Sequence, residues 1–501
     1  MSSTSFVKRY AVTIAANCVR GFLLYLAGII VARSLSLPAY GEYSYLVAVF
    51  IALNSLLDLG GNTAFYTFMA EKPRSACFVL SYLLWQVLQI GVVLSALYLL
   101  PLSWAAVLWP QLSTATVALG FIAIFCQYQL WNSISALGDA VRNTAVVQLF
   151  NVLATFCYTL VLGVTAESIG LSVDSAFVIL FSGFFITLGF ALAWYWRHLK
   201  RIGYFVGSER QAFRETLGEY SRFCLPLAIN CLFVFVSMFV FRWLVQTYAG
   251  SETQGYFSAG QHLAMPAMLL STSLARLVWK EVAEAKSRVL SNEIQGSFTK
   301  TLIGLALVNG LWICFAIPWM DHLVRLMLGA NYAGGAITCG LLLYASLFQA
   351  IGQVVSVYFY ATQRTREFAW LLCFASGLEI LASFGFLLYC YDPASWWANH
   401  HSLAFIRCAG QVLAMLLLVA AFVPQRRLLM AAIIAATLGA IAFSYSLRCV
   451  VSALNLDFLP SISLAFFLYG GSAIIIGLTF ARRKGGISKT AQTLGWSVRS
   501  S

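Results

Sequence analysis

The sequence predicts an all-α, polytopic membrane protein with about fourteen transmembrane helices: two six-helix parallel repeats followed by two C-terminal helices. Three observations carry this. The 501 residues are 61% hydrophobic and 10% charged, whereas a soluble domain carries about 25% charged residues. The apolar residues fall into runs of about 20, the length a helix needs to cross a bilayer. The basic residues alternate with those runs in a way that fixes an orientation.

In order, the apolar runs lie near 11–32, 42–66, 77–100, 114–137, 144–165, 176–196, 223–248, 255–279, 301–319, 333–361, 368–390, 402–423, 428–447 and 459–480. The first follows Lys8 and Arg9 and has no small-residue cleavage site behind it, so it is expected as a retained helix and not a signal peptide. An even number of crossings puts both termini on one side. With that side cytoplasmic, most of the 31 Lys and Arg fall in inner segments, and the outer segments hold only Arg33, Arg325 and Arg448. The longest hydrophilic interruption between the two sets of six begins at Arg197 and ends at Arg222. The expected organisation is therefore a six-helix lobe at 1–200, a cytoplasmic linker at 201–222, a second lobe at 223–424, and two further spans with a basic tail at 425–501.

The net charge of +13 is thus mainly topological, attracts anionic lipid, and calls for no nucleic-acid partner. Twelve cysteines scattered inside apolar runs show neither CxxC spacing nor a Cys/His cluster, so no disulfide frame, metal site or cofactor is expected. No phosphate-binding loop, nucleophile elbow or His-Glu-x-x-His motif occurs, and the longest outer loop, near 392–401, is too short for a catalytic domain. These features point away from an enzyme.

The halves echo each other. A shift of 214 lays Tyr40-Gly-Glu-Tyr-Ser44 on Gln254-Gly-Tyr-Phe-Ser258, and a shift of 224 lays Ala136-Leu-Gly-Asp-Ala-Val-Arg142 on Tyr360-Ala-Thr-Gln-Arg-Thr-Arg366. Parallel repeats of this kind place a binding site at their interface and work by alternating access. A carrier is the class the pattern predicts.

Within the spans stand Arg20, Asp58, Arg242, Arg276, Glu379 and Arg407. Charge in hydrocarbon is expensive and marks functional positions. The arginine fork suits phosphate and carboxylate, so the four Arg, with Asn17 one turn before Arg20, predict a cationic cavity for an anionic cargo. Asp58 and Glu379 are expected either as ion-coupling groups or as internal ion-pair partners. Gln261 and His262, and Asn62 one turn after Asp58, are further polar groups within the runs.

The stretches Ile30-Val-Ala-Arg-Ser34, Ala39-Tyr-Gly-Glu-Tyr-Ser-Tyr45 and Leu57-Asp-Leu-Gly-Gly61, with the Arg-ending turns at 136–142 and 360–366, resemble the Wzx-type polysaccharide flippases. Those belong to the superfamily that also holds multidrug exporters and lipid II flippases. The resemblance implies a multi-pass protein of the bacterial inner membrane that moves undecaprenyl-pyrophosphate-linked oligosaccharide from the inner to the outer leaflet. It further implies a cationic cavity between two lobes, a place in O-antigen or other surface-polysaccharide biosynthesis, and a polysaccharide polymerase and chain-length regulator as partners. Arg20, Asp58, Arg242 and Arg276 lie on spans that match such a cavity, whereas Arg407 has no counterpart to carry over. For the sugar, Trp85, Trp131, Tyr128, Asn132, Gln349 and Gln353 are the expected stacking and hydrogen-bonding groups. A lipid II flippase and a multidrug exporter of the same superfamily are the nearest alternatives, with a membrane oligosaccharide polymerase behind them.

Overall fold

The computed structural model describes residues 3–71, 76–110, 112–141, 143–201, 203, 213–269, 271–272, 291–361, 364–390, 400–422, 427–452, 463–465 and 468–469. The chain forms α1 (Ser3–Ser34), α2 (Leu37–Asp58), α3 (Gly61–Glu71), α4 (Ala76–Leu99), α5 (Leu102–Leu108) and α6 (Thr114–Phe125). A π-helical turn, Cys126–Leu130, then leads into α7 (Trp131–Ala140), α8 (Thr144–Ser168), α9 (Val173–Arg201) and α10 (Phe213–Leu244). A second π turn, Val245–Ala249, precedes α11 (Gly250–Leu263), α12 (Ser291–Ala316), α13 (Met320–Leu328), α14 (Ala336–Ala361), α15 (Thr365–Tyr389), α16 (His400–Phe422) and α17 (Arg427–Ser452). There is no strand among the described residues. They include 11 helices long and apolar enough to cross a membrane. The protein is an all-α, multi-pass membrane protein. The second half of the run 255–279 and most of the run 459–480 lie outside the described residues.

Two boundaries differ from expectation for local reasons. The second run is not one helix. Leu59 at φ 48 and Gly60 at φ 78 end α2, and the Asp58 carboxylate accepts the Asn62 N–H at 3.0 Å, capping the start of α3. At 1.5 Å per residue the 22 residues of α2 rise about 33 Å, enough to cross the bilayer core alone. Asp58 therefore stands at the far end of a crossing and not within it. The seventh helix begins at Phe213, inside the stretch expected to link two lobes. At the other end of α2, Ser36 accepts the Ala39 N–H at 3.4 Å and Pro38 opens the first turn, which fixes where the helix starts.

The helix α2 packs against α6 on one side and against α10 and α11 on the other. Its crossing with α11 is very close. A Cβ added at Gly41 would lie 1.8 Å from the Ser251 carbonyl oxygen, and one added at Gly255 would lie 2.7 Å from that of Leu37. Positions 41 and 255 are 214 apart, as are 37 and 251, so the two halves of the contact are equivalent under the repeat shift. Nearby, the His262 ring fills the space a side chain at Gly28 would need. It stacks on Tyr25 with centroids 5.1 Å apart, and Nε2 donates to the Tyr25 carbonyl at 2.8 Å. His262 is thereby a packing group between α1 and α11.

At the opposite end, Tyr220 of α10 inserts among Phe68, Phe78 and Tyr82, at centroid distances of 5.2, 5.8 and 6.1 Å. The helix α17 is tied to its neighbours by a forked ion pair from Arg448 to Asp321 at 2.9 and 3.0 Å. A second tie joins the Tyr344 and Thr437 hydroxyls at 2.9 Å.

Replacing Gly41 or Gly255 with Ala overpacks the crossing and should each destabilise the protein by about 1–3 kcal/mol. The double variant should lose less than the sum, because both methyl groups force the same separation. Thermal unfolding of the single and double variants in nanodiscs measures both effects.

Candidate functional site

A cavity of about 760 Å³ lies among α1, α2, the first π turn, α10, α11, α14, α15 and α16. Its charges sit near the α2–α11 crossing. Arg242, two residues before the end of α10, donates to the Ser258 hydroxyl at 3.1 Å and to the Gln261 side-chain oxygen. Both partners come from α11, one turn apart, and both are neutral. Arg407 of α16 pairs with the Glu379 carboxylate of α15 and lies over the Phe241 ring, 5.2 Å from its centroid. Glu379 is buried at 5% exposure. A Cβ at Gly410 would come within 2.7 Å of its Oε2, so this glycine makes room for the carboxylate. The two guanidinium groups lie within electrostatic reach of each other. Arg242, Arg407 and Glu379 together leave one positive charge in excess.

The uncharged lining is rich in amides: Gln127, Gln261, Gln349, Gln353 and Gln411 all reach the cavity. Gln349 and Gln353 are one helical turn apart on α14 and so share a face. Gln353 Oε1 accepts from the Ser271 hydroxyl at 2.8 Å, which leaves its NH2 as the free hydrogen-bonding end. Gln127 and Tyr128 both line the wall, an arrangement helped by the π turn on which they lie, since such a turn shifts the helical register at functional sites.

Of the residues expected from the sequence, Arg242, Arg407 and Glu379 line this cavity, as do Tyr128, Gln349 and Gln353. Arg20 and Asn17 are not among the lining residues. Arg20 lies about 21 Å along α1 from Ser34, within electrostatic reach of Tyr128 at the cavity wall. Asp58 is also apart from the cavity, because the break at Leu59 places it at the end of α2 in a separate polar group. Arg276 lies outside the described residues. Trp85 is exposed on α4, Asn132 is exposed on α7, and Trp131 is buried against Phe184 with its Nε1–H donating to that residue's carbonyl at 3.2 Å. None of these three lines the cavity.

Sequence reasoning missed Gln127, Gln411, Ser258 and Ser237. Gln411 had a signal, standing one turn after Arg407 in an apolar run. Gln127 had none, because an ordinary helix gives no hint of the π turn.

Fold and site together define a polytopic α-helical membrane protein built round a polar, arginine-bearing cavity. No family model matches the sequence, and no curated protein sequence matches it. Solved structures do match. The lipid II flippase MurJ in an inward closed conformation aligns with a TM-score of 0.67 at 14% identity, over 95% of this chain and 99% of that one. An inward-facing multidrug resistance MATE family transporter of the MOP superfamily aligns with a TM-score of 0.59 at 15% identity, over 85% of this chain and 98% of that one. A MOP superfamily transporter from Pyrococcus furiosus, described as having a binding pocket of reverse polarity, gives 0.53 at 15%, over 85% and 95%. The chain has the fold of the MOP superfamily transporters.

Because Glu379 is more deeply buried than Arg407, Arg407→Met strands a carboxylate and should destabilise the protein by about 3–5 kcal/mol. Glu379→Gln strands the better exposed guanidinium and should destabilise it less. The double variant should recover part of the larger loss. Thermal unfolding of all three against the parent checks the order.

Proposed function

We propose that this protein is a flippase for undecaprenyl-pyrophosphate-linked oligosaccharide. It carries the lipid-linked repeat unit from the inner to the outer leaflet of a bacterial inner membrane, in surface-polysaccharide biosynthesis. The observation that carries this reading is Arg242: a guanidinium facing the cavity whose hydrogen-bond partners, Ser258 and Gln261, are neutral. A cation not matched by an acid in a low-dielectric wall attracts an anion, and its fork suits a phosphate oxygen pair. Arg407, balanced by Glu379, adds a second donor that a competing anion can recruit. The amides of Gln349, Gln353 and Gln411 supply the directional donors and acceptors that sugar hydroxyls need.

On this reading lobes at 1–200 and 223–424 rock about the shared cavity. The α2–α11 crossing, at the end the loop charges predict to be outer, closes it towards the periplasm. Both termini face the cytoplasm, and a polymerase and chain-length regulator receive the product. The excess of arginine over carboxylate disfavours cationic drugs as cargo. Lipid II remains the nearest second cargo, supported by the more complete structural alignment to a lipid II flippase. It shares the prenyl-pyrophosphate carrier and differs in the glycan.

The test is transport in proteoliposomes loaded with fluorescent undecaprenyl-pyrophosphate glycans, a surface-polysaccharide repeat unit in one set and lipid II in another. Outward-facing label is read by a membrane-impermeant quencher. The repeat unit should flip faster than lipid II. Arg242→Gln should slow it about tenfold or more, since a charged hydrogen bond to phosphate contributes about 1.5–3 kcal/mol. Arg20→Ala, behind the wall, should slow it less. Undiminished flipping by Arg242→Gln, or faster movement of lipid II, overturns the assignment.

A further inference from the structure

A second cavity lies on the outside of the bundle, where α1 and α8 meet. It is a groove of about 660 Å³ walled by Leu23 of α1 and by Phe156, Leu160, Gly163, Val164 and Glu167 of α8. Phe156, Leu160 and Val164 are exposed apolar side chains. A Cβ at Gly163 would lie 3.7 Å from Ile30 Cδ1, an ordinary contact distance. A side chain would therefore fit at this position, and its absence leaves the hollow. Lower in the groove the Thr159 hydroxyl donates to the Leu23 carbonyl at 3.3 Å and ties the two helices together.

The groove is as deep as one leaflet. From Phe156 to Glu167, α8 rises about 16 Å, and half of the hydrocarbon core is about 15 Å thick. Glu167 stands in the last turn of α8, at the end the loop charges predict to be outer. With its carboxylate at the level of the headgroups, Phe156 falls near the bilayer midplane. On α1, Arg33 lies one turn beyond Ile30, as Glu167 lies one turn beyond Gly163 on α8, so an acid and a base share one level on the two helices. Both are exposed. Among the described residues neither is in an ion pair.

An apolar slot one leaflet deep, under an acid and a base, has the form of one phospholipid with a zwitterionic headgroup. A helix from a partner protein would cross the whole core of about 30 Å, twice the length of this groove. We propose that the α1–α8 groove binds a phospholipid of the ethanolamine class. One acyl chain lies along Phe156, Leu160 and Val164, the ammonium donates to Glu167, and the phosphate is turned towards Arg33, whose fork suits its oxygens. A carboxylate accepts hydrogen bonds from a primary ammonium, which the quaternary nitrogen of a choline headgroup cannot give. The helix α1 is the wall between this groove and the central cavity, since Leu24, Ala27 and Val31 line the one and Leu23 the other. A lipid held here braces that wall against α8 from outside.

The test is native mass spectrometry of the full-length protein released from nanodiscs of equal parts dioleoyl phosphatidylethanolamine and dioleoyl phosphatidylcholine, whose acyl chains are identical. One retained lipid per chain is expected, ethanolamine over choline by about tenfold, as a charge-assisted hydrogen bond supplies. Glu167→Gln should abolish the preference while lipid is still retained. Gly163→Phe should fill the groove and lower retention of both lipids about tenfold, because the acyl chain loses its apolar wall. Should that variant fail to fold, Leu160→Trp, at an exposed position, takes its place with the same expected loss. Equal retention of the two lipids by the parent protein, or a preference that survives Glu167→Gln, overturns the proposal. Retention undiminished by both filling variants does so as well. Two chains per particle with no lipid retained assigns the face to a second copy of the chain and overturns it too. Cargo transport is not part of this measurement, so its outcome is independent of the flippase assignment.

Discussion

The bundle depends on a contact between two helix backbones that no side chain could replace. Where α2 crosses α11, Gly41 lies against the Ser251 carbonyl and Gly255 against that of Leu37. Only hydrogen at both Cα atoms lets the helices approach this closely. Because α2 also packs on α6 and α10, the crossing sets the position of the helix that borders most of the cavity wall near Arg242. The equivalence of the two half-contacts under one sequence shift gives the repeat a physical meaning: each copy supplies both the groove and the ridge that fills it.

Charge placement follows a consistent logic around that frame. Glu379 is buried and carries its counter-charge in Arg407, while Arg242 is given hydroxyl and amide partners that hold its geometry without cancelling its charge. Buried pairs of the first kind add little net stability but are severe to break. The second arrangement keeps a field directed into the cavity. A further polar group, at the Asp58 end of α2, carries no such excess charge: the carboxylate is held by the Asn62 N–H and the Gln129 amide.

Much of the fold was legible because bilayer physics leaves few choices. Long apolar runs become helices, and the described spans fall where the runs predicted. Local backbone events were harder to read. The Asp58-Leu-Gly-Gly61 stretch breaks the second run, yet a glycine pair in a membrane span is as often a packing surface as a turn. The π turn at Cys126–Leu130 leaves no mark in composition at all. At the site, the charged members Arg242, Arg407 and Glu379 stood out against hydrocarbon, whereas Arg20 showed that depth in a span does not fix which face of the helix a residue occupies. His262, one of the polar groups in the eighth run, packs into the space that Gly28 leaves across the interface, a fit that no residue near it in the sequence announces.

The spacing between Gly255 and Ser258 has a consequence for hydration. Three residues of α11 separate the glycine that seals the crossing from the hydroxyl that holds Arg242, a rise of about 4.5 Å. That is less than the width of two water molecules, about 2.8 Å each. The helices cannot part at Gly255 without wetting the guanidinium at once, and a wetted guanidinium loses most of its pull on an anion as the local dielectric rises. On the flippase reading proposed above, the seal and the strength of the anion site are one variable: a closed crossing favours a held anion, and the first layer of water through it loosens the grip.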